Sequence, residues 1–462
     1  MKIKRIFRRA LAPPAFAAFL TPTLAILPGV WAQTAPSPSN APAFPAANAT
    51  STPLDAATSN ATPNDEEKTS GTVDFGRTTI AALQEYALQN HPALRLVDNL
   101  TDAERGVYIQ AGLLPNPSHR NESEENGADG SAGKHGVSIE QEFGGAARRR
   151  LAQEASRKAT VALGWERQVV ATKIRNDVRA AAYRLLIAQK RVEFRQQIAS
   201  VSQAAEDQAR SLIAAGSLSQ LNFIQLQNQT REAKLAVTKA QNAKTAAQKA
   251  LLALLGAPNG SIEALLDDPE KLGGEPLDEN ATLDDILERS PEIERLKAQI
   301  VQRQAVLNYE RAPKREFSVE GGVSYAFGDS TTLASAGVGV PLRVNDRNQG
   351  NIQRATAEYF AAQRELERTQ LKLRAEFAET FAVYKSAREE ARTYREEIMP
   401  SLENFFEMSR QAFNSGEIDF LEISAARVVY IESSVNYLES LERLAESIVK
   451  LEGALLERCL EN

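Results

Sequence analysis

The sequence predicts a mainly α-helical protein with a small β part, built from two similar halves that each place a pair of strands before a long helical hairpin. Three observations carry this: an internal repeat, long proline-free runs of helix-forming residues that reverse at glycines, and short stretches of strict apolar and polar alternation.

The repeat is read first. Leu88 to Leu94 contains Asn90-His91-Pro92, and Leu287 to Ile293 contains Arg289-Ser290-Pro291 in the same place. Each proline fits the first turn of a new helix, where its missing N–H costs nothing. Gln153 to Ala155 is echoed by Gln353 to Ala355, and Ala215 to Leu221 by Ser415 to Leu421. The offset stays at about 200 residues throughout, which unrelated chance matches would not keep. The expected organisation is a first repeat over 71–265, with strands near 117–143 and a reversal at Gly216. A second repeat over 275–462 has strands near 315–343 and a reversal at Gly416.

The helices follow from composition. Ala146 to Ala214 has no proline and is rich in Ala, Leu, Gln, Arg and Glu. As one helix it would reach about 100 Å. Gly216 and Gly416 supply left-handed C-caps at the reversal tips, and Arg347 to Asn414 is expected as the second long rod. In the last helix, Val428, Ile431, Val435, Leu438, Leu441, Ala445 and Ile448 recur in steps of three or four and mark the expected buried stripe.

The strands carry the clue to environment. From Arg315 to Phe327 one face holds Phe317, Val319, Gly321, Val323, Tyr325 and Phe327, and the other Ser318, Glu320, Gly322, Ser324 and Ala326. Gly328 to Ser330 turns into Leu333 to Leu342, where Ala334, Ala336, Val338, Val340 and Leu342 share a face. This alternation fits a barrel strand between lipid and lumen, and equally a soluble sheet with one buried face. In the first half Val137, Ile139 and Phe143 alternate, whereas Ser118 to Asn126 is nearly all polar and reads as a poor lipid-facing strand.

The N-terminus reads as an export signal over 1–32: basic Lys2, Lys4, Arg5, Arg8 and Arg9, an apolar stretch to Leu27, and Val30-Trp31-Ala32 before the cut. A membrane anchor is the competing reading, against which four prolines stand. Residues 33–70, dominated by Ala, Pro, Ser, Thr and Asn, read as a disordered leader. The formal net charge is -6, and loss of the basic start makes the chain more acidic still. With no basic block, nucleic acid is not an expected partner. The one cysteine, Cys459, rules out an internal disulfide framework and is a poor nucleophile near a frayed end. No phosphate loop, nucleophile elbow or His-Glu-x-x-His motif occurs, so neither an enzyme nor a cofactor is expected. His91, His119 and His135 have no ligand spacing, and no metal site is expected.

Together these residues resemble the TolC-like outer-membrane factors of tripartite efflux systems. The resemblance covers nearly all of the chain after the leader. It rests on the duplication, on Ala111 to Pro117 before the first strand, on Gly144-Gly145-Ala146-Ala147-Arg148-Arg149-Arg150 opening the first long helix, and on the two glycine reversals. The Glu142-Phe143-Gly144-Gly145 entry is most similar to the CzcC branch, associated with export of heavy-metal cations. The resemblance implies a homotrimer whose subunits each give four strands to a twelve-stranded outer-membrane barrel, continued by a periplasmic α-helical barrel. It also implies a periplasmic adaptor, an inner-membrane RND pump and outer-membrane lipid as partners. By the family's pattern Asp419 and Glu422 fall on the acidic positions of the periplasmic gate, a cation-selecting ring, while their counterparts Ser219 and Asn222 are neutral. The residues alone equally give Asp419 and Glu422 a capping-box role. A multidrug duct of the same family and a periplasmic coiled-coil adaptor are the alternatives, the latter expected to have one hairpin rather than two.

Overall fold

The computed structural model describes residues 73–124, 132–214, 219–271 and 274–460. The expected signal and leader, and Gly216, lie outside the described residues.

The first half begins with β1 (Arg77–Thr78), α1 (Ile80–Asn90) and α2 (Pro92–Gly112). His91 stands between the helices, its Nδ1 accepting from the Ala93 N–H at 3.2 Å, and Pro92 opens α2. Next come β2 (Ser118–Glu124), β3 (Lys134–Gly144), α3 (Ala146–Ala214), α4 (Gln220–Leu254) and β4 (Ala264–Leu265). The second half runs α5 (Glu279–Arg289), α6 (Pro291–Arg311), β5 (Glu316–Ala326), β6 (Thr331–Gly339), α7 (Gln349–Thr393), α8 (Met399–Ser415) and α9 (Phe420–Glu452). The parallel pair β1–β4 ties the start of the first half to its end. The other four strands form one antiparallel sheet in the order β2-β3-β5-β6, so the two halves meet through β3 and β5.

The rod between Arg347 and Asn414 is not one α-helix. A π-helical segment, Tyr394–Ile398, separates α7 from α8. The Met399 N–H bonds the Tyr394 carbonyl five residues back, and Pro400 follows. Proline has no N–H to continue the ladder and its ring crowds the carbonyl four residues earlier, so the wider turn absorbs the fault. α3 is 69 residues without interruption.

Buried apolar residues gather in three places. One cluster joins α1, α3 and α4 through Leu83, Ile174, Leu185 and Leu251. A second joins α7 and α9 through Phe377, Phe381, Leu438, Leu441 and Ile448. The third, near the reversals, has Ala209, Leu226 and Ile423 buried among the described residues, with Phe413 and Ile418 partly so. The stripe on α9 departs here from its sequence pattern. Leu438, Leu441, Ala445 and Ile448 are buried, but Val428 is 46% exposed and the charged Arg427 beside it is buried. Nor is the C-terminal end frayed. Asp177 accepts from the Arg458 and Cys459 N–H groups at 3.0 and 2.6 Å, and Asn176 donates to the Gly453 and Leu456 carbonyls. Burial, reinforced by Asp177, pushes the Cys459 thiol up to about 12, which leaves it inert as a nucleophile.

The step from sheet to helix explains the glycine pair. Gly144 (φ 103°) and Gly145 (φ 67°) both adopt left-handed backbone. A Cβ on Gly144 would meet the Arg315 carbonyl oxygen at 2.2 Å, while the Gly145 N–H donates to that same oxygen at 2.8 Å. Gly144→Ala is therefore expected to destabilise the fold by about 3 kcal/mol, combining left-handed strain with a backbone clash. Denaturant midpoints of the purified protein measure it, and a loss no larger than that of Gly164→Ala, in open space on α3, would refute the steric account.

Candidate functional site

Two regions present chemistry: the four-stranded sheet and the helix reversals.

The registers align the alternating residues into faces. On one face Val137 pairs with Val323 and Phe143 with Phe317, while Val319 pairs with Val338 and Val323 with Ala334. This face is uncovered: Ile139 is 58%, Val323 52% and Val338 72% exposed. That observation separates the two readings of the alternation, because a soluble sheet would bury this side. Aromatic rings gather at both ends of the band. Phe143 stacks on Phe317 with centroids 5.8 Å apart at the helix end, and Tyr325, His135 and Phe327 meet edge to face at the far end. From Phe317 to Tyr325 the strand covers about 27 Å, the height of an outer-membrane apolar band between its girdles.

The opposite face is charged. Arg120 reaches Glu140 at 3.4 Å, Glu122 at 3.6 Å and Glu320 at 3.9 Å, and Lys134 reaches Glu124 at 3.5 Å. Glu140 and Glu320 sit directly opposite each other in the ladder, and the Arg120 guanidinium offsets the repulsion of that pair. Glycines let the strands approach: a Cβ on Gly322 would lie 2.9 Å from both Ser138 Cβ and Ser335 Oγ. The expected strand pair of the first half is present. β2 pairs with β3 from Ser118 to Glu124, and its band-side residues His119, Asn121 and Ser123 are polar. Backbone pairing needs no apolar side chain, so a polar stretch still takes its place in the ladder. Residues 125 and 126 lie outside the described residues.

The sheet is joined to the helices through a buried polar knot. Arg148 Nη2 meets Glu310 Oε2 at 3.2 Å, its Nη1 donates to the Ala312 carbonyl, and its guanidinium lies 4.1 Å over the Tyr309 ring. Asn348, left-handed at φ 65°, donates through Nδ2 to the Glu310 carbonyl and to Glu310 Oε2 at 2.9 and 2.7 Å.

At the second reversal Gly416 ends α8 with φ 80°, and the Glu417 N–H returns to the Ala412 carbonyl at 2.9 Å. Asp419 then caps α9: its Oδ1 accepts from the Glu422 N–H at 3.0 Å, and Glu422 Oε2 accepts from the Asp419 N–H at 3.1 Å. Both side chains are exposed. In the first half Ser219 Oγ accepts from the Asn222 N–H at 3.2 Å, without the reciprocal bond. The two acids are thus brought together, whereas the histidines are dispersed over the α1–α2 junction, β2 and β3. Among the described residues no three His, Cys, Asp or Glu side chains lie close enough to hold a metal ion, and no helix is long and apolar enough to cross a membrane.

Residues 282–455 match the family model described as outer membrane efflux protein. Over 386 residues, 82% of this chain and 90% of its relative, the sequence is 25% identical to the cobalt-zinc-cadmium resistance protein CzcC of Cupriavidus metallidurans. Its second half is thus similar to the outer membrane efflux proteins, and most of the chain to one heavy-metal resistance protein. The fold agrees. A membrane protein from Pseudomonas aeruginosa superposes with TM-score 0.68 at 18% identity, over 81% of this chain and 92% of that one. CusC gives 0.68 at 18% identity over 82% and 92%. The CmeC outer membrane channel of Campylobacter jejuni gives 0.63 at 16% identity over 83% and 87%. In a protein of that kind the exposed apolar band would be the lipid-facing side, the charged face would line the channel, and the helices would extend into the periplasm.

If lipid meets the band, its centre should reject charge. Val323→Arg is expected to cost about 2–4 kcal/mol as a midplane substitution, whereas Ser324→Arg on the channel side should cost far less. Folding yield into lipid vesicles compares them, and equal losses would contradict the assignment of faces.

Proposed function

We propose that this protein is one subunit of a homotrimeric exit duct for heavy-metal cations, working with a periplasmic adaptor and an inner-membrane RND pump. The observation that carries this reading is the sheet with one exposed apolar face and two open edges. Among the described residues β2 pairs only with β3, and β6 only with β5. Four strands cannot close a membrane barrel, and an unpaired edge in lipid leaves backbone groups without partners. Three copies, edge to edge, would give a twelve-stranded barrel continued by an α-helical barrel, with each repeat, 71–265 and 275–462, contributing two strands and one hairpin.

The cargo reading is supported by the resemblance to CzcC and by the charge of the channel face. There Glu122, Glu124, Glu140, Glu142, Glu316 and Glu320 outnumber Arg120 and Lys134, a lining that favours cations. Loose attraction rather than tight ligation suits a conduit. Deleting the protein is expected to lower the tolerated concentration of zinc, cobalt or cadmium in the growth medium, with unchanged tolerance of organic drugs. Sensitisation to drugs alone would reassign the cargo.

The gate is proposed at the second reversal. Three-fold symmetry would bring copies of Asp419 and Glu422 towards one axis, where their charges attract cations and repel one another. Gly216 and Gly416 would mark the two tips, and the π segment above α8 would be the bend on which the inner hairpin moves. Asp419→Ala combined with Glu422→Ala should raise closed-state conductance in planar bilayers and reduce the preference for cations over anions. Unchanged conductance and selectivity would remove the ring from the mechanism.

A further inference from the structure

The apolar band ends at the stacked rings of Phe143 and Phe317, and beyond them the chain changes character. The protein is acidic overall, with a formal net charge of -6. Yet the corner where β3 and β5 meet the helices carries Arg148, Arg149 and Arg150 from the first half, with Arg311, Lys314 and Arg315 from the second. Two of these serve the fold. Arg148 turns to Glu310, while Arg149 donates to the Gly144 carbonyl and stands with Glu316, on the charged face, about the space a Gly145 Cβ would fill. Successive helical positions are about 100° apart, so Arg150 falls on the remaining side of α3, that of the apolar band. It is exposed. Arg315 reaches this side by another route. Its carbonyl accepts from the Gly145 N–H at 2.8 Å, which continues the ladder one step past Gly144 and Glu316. Arg315 therefore keeps the parity of Phe317 and lies about 7 Å beyond it. Arg311, exposed at the end of α6, adds a third guanidinium at the corner, next to the Ala312 carbonyl that receives Arg148. None of the three is ion-paired among the described residues. Glu154, a turn along α3 from Arg150, is followed by Arg157 and Lys158, so the surface stays positive.

We infer that Arg150, Arg311 and Arg315 form a docking surface for the phosphate of an anionic phospholipid in the leaflet bordering the helices, an inference that rests on the band being lipid-facing. Depth, chemistry and continuity select this partner. The headgroup layer extends about 5–7 Å beyond the hydrocarbon on each side, which is where Arg315 stands. Guanidinium forks match phosphate oxygens. Continuity with the band favours a lipid over a free phosphate ion, because the acyl chains of the same molecule lie along Phe143, Phe317 and Val319. The far end offers no such surface. There Tyr325, Phe327 and His135 gather on the band side, and Lys134 pairs with Glu124 on the charged face. Binding has a structural consequence. Arg150 belongs to the first half and the other two to the second, so one headgroup ties the halves together and fixes how deep the sheet sits.

The test reconstitutes the full-length protein in vesicles of phosphatidylglycerol and phosphatidylcholine and adds spin-labelled lipid of either headgroup. Electron paramagnetic resonance reads the fraction of each label held at the protein surface. Wild type is expected to restrict both labels and to favour phosphatidylglycerol at least about threefold, a preference that weakens as salt is raised. Arg150→Gln combined with Arg315→Gln should bring the ratio near one while phosphatidylcholine is still restricted. Should that variant fail to insert, Arg315→Gln alone must lower the ratio. Lys239→Gln combined with Lys249→Gln, both exposed on α4, should leave it unchanged. A wild-type ratio near one, an undiminished ratio in the inserted glutamine variants, or an equal fall in the α4 control would overturn the docking surface and leave the lipid-facing band standing. Loss of the preference on adding inorganic phosphate at constant ionic strength would assign the arginines to a free anion instead. Restriction of neither label would overturn the lipid-facing band itself.

Discussion

The buried pair between Arg148 and Glu310 is the constraint on which the architecture turns. It links the two halves where each changes from sheet to helix, and Asn348 joins it at the start of α7. One carboxylate therefore fixes three helix ends: the start of α3, the end of α6 and the start of α7. Removing one partner of such a pair leaves a charge stranded, at about 3–5 kcal/mol. The same knot sets the direction in which the sheet leaves the helices. Gly144 and Gly145 supply the left-handed steps before α3, and Asn348 supplies one before α7. Both halves use positive φ at this corner, where the chain turns sharply from the sheet into a long helix.

The sheet shows which arguments from sequence survive contact with structure. Alternation from Arg315 to Phe327 identified the faces but not their surroundings, since periodicity records that two sides differ and not which one water or lipid touches. Exposure of Val323 and Ile139 supplied that second fact. β2 is the opposite case: Ser118 to Glu124 was expected in a strand pair but has a poor composition for facing lipid, and β3 gives it a full ladder. Pairing is a property of two strands and cannot be read from one.

In the helices, propensity located α3 from its first residue to its last, because 69 proline-free residues rich in Ala, Leu, Gln, Arg and Glu all favour helix. Pro400 was visible in the sequence, but a single proline in a helix-forming run gives no sign whether it kinks, ends or π-bulges the helix. The buried stripe on α9 held where Leu438, Leu441 and Ile448 pack and failed at Val428. Arg427, its neighbour, takes the inward position, in line with Ile423 and Ser434, so the helix face is rotated from the one hydrophobicity selects. A charged residue at a core position is the case in which pattern reading fails and function is most often found.

The asymmetry between the reversals bears on whether a cap can also be a gate. The capping box engages Asp419 Oδ1 and Glu422 Oε2, and both residues are exposed, so the cap itself leaves Oδ2 and Oε1 unengaged. Capping also fixes the two side chains relative to the helix, which suits a ring whose charges must sit at a defined distance from an axis. In the first half Ser219 caps equally well without bringing a charge. Stability of the turn alone therefore does not require acids at 419 and 422. What the acids add is negative charge at the reversal, on the hairpin whose long arm is interrupted at Tyr394–Ile398.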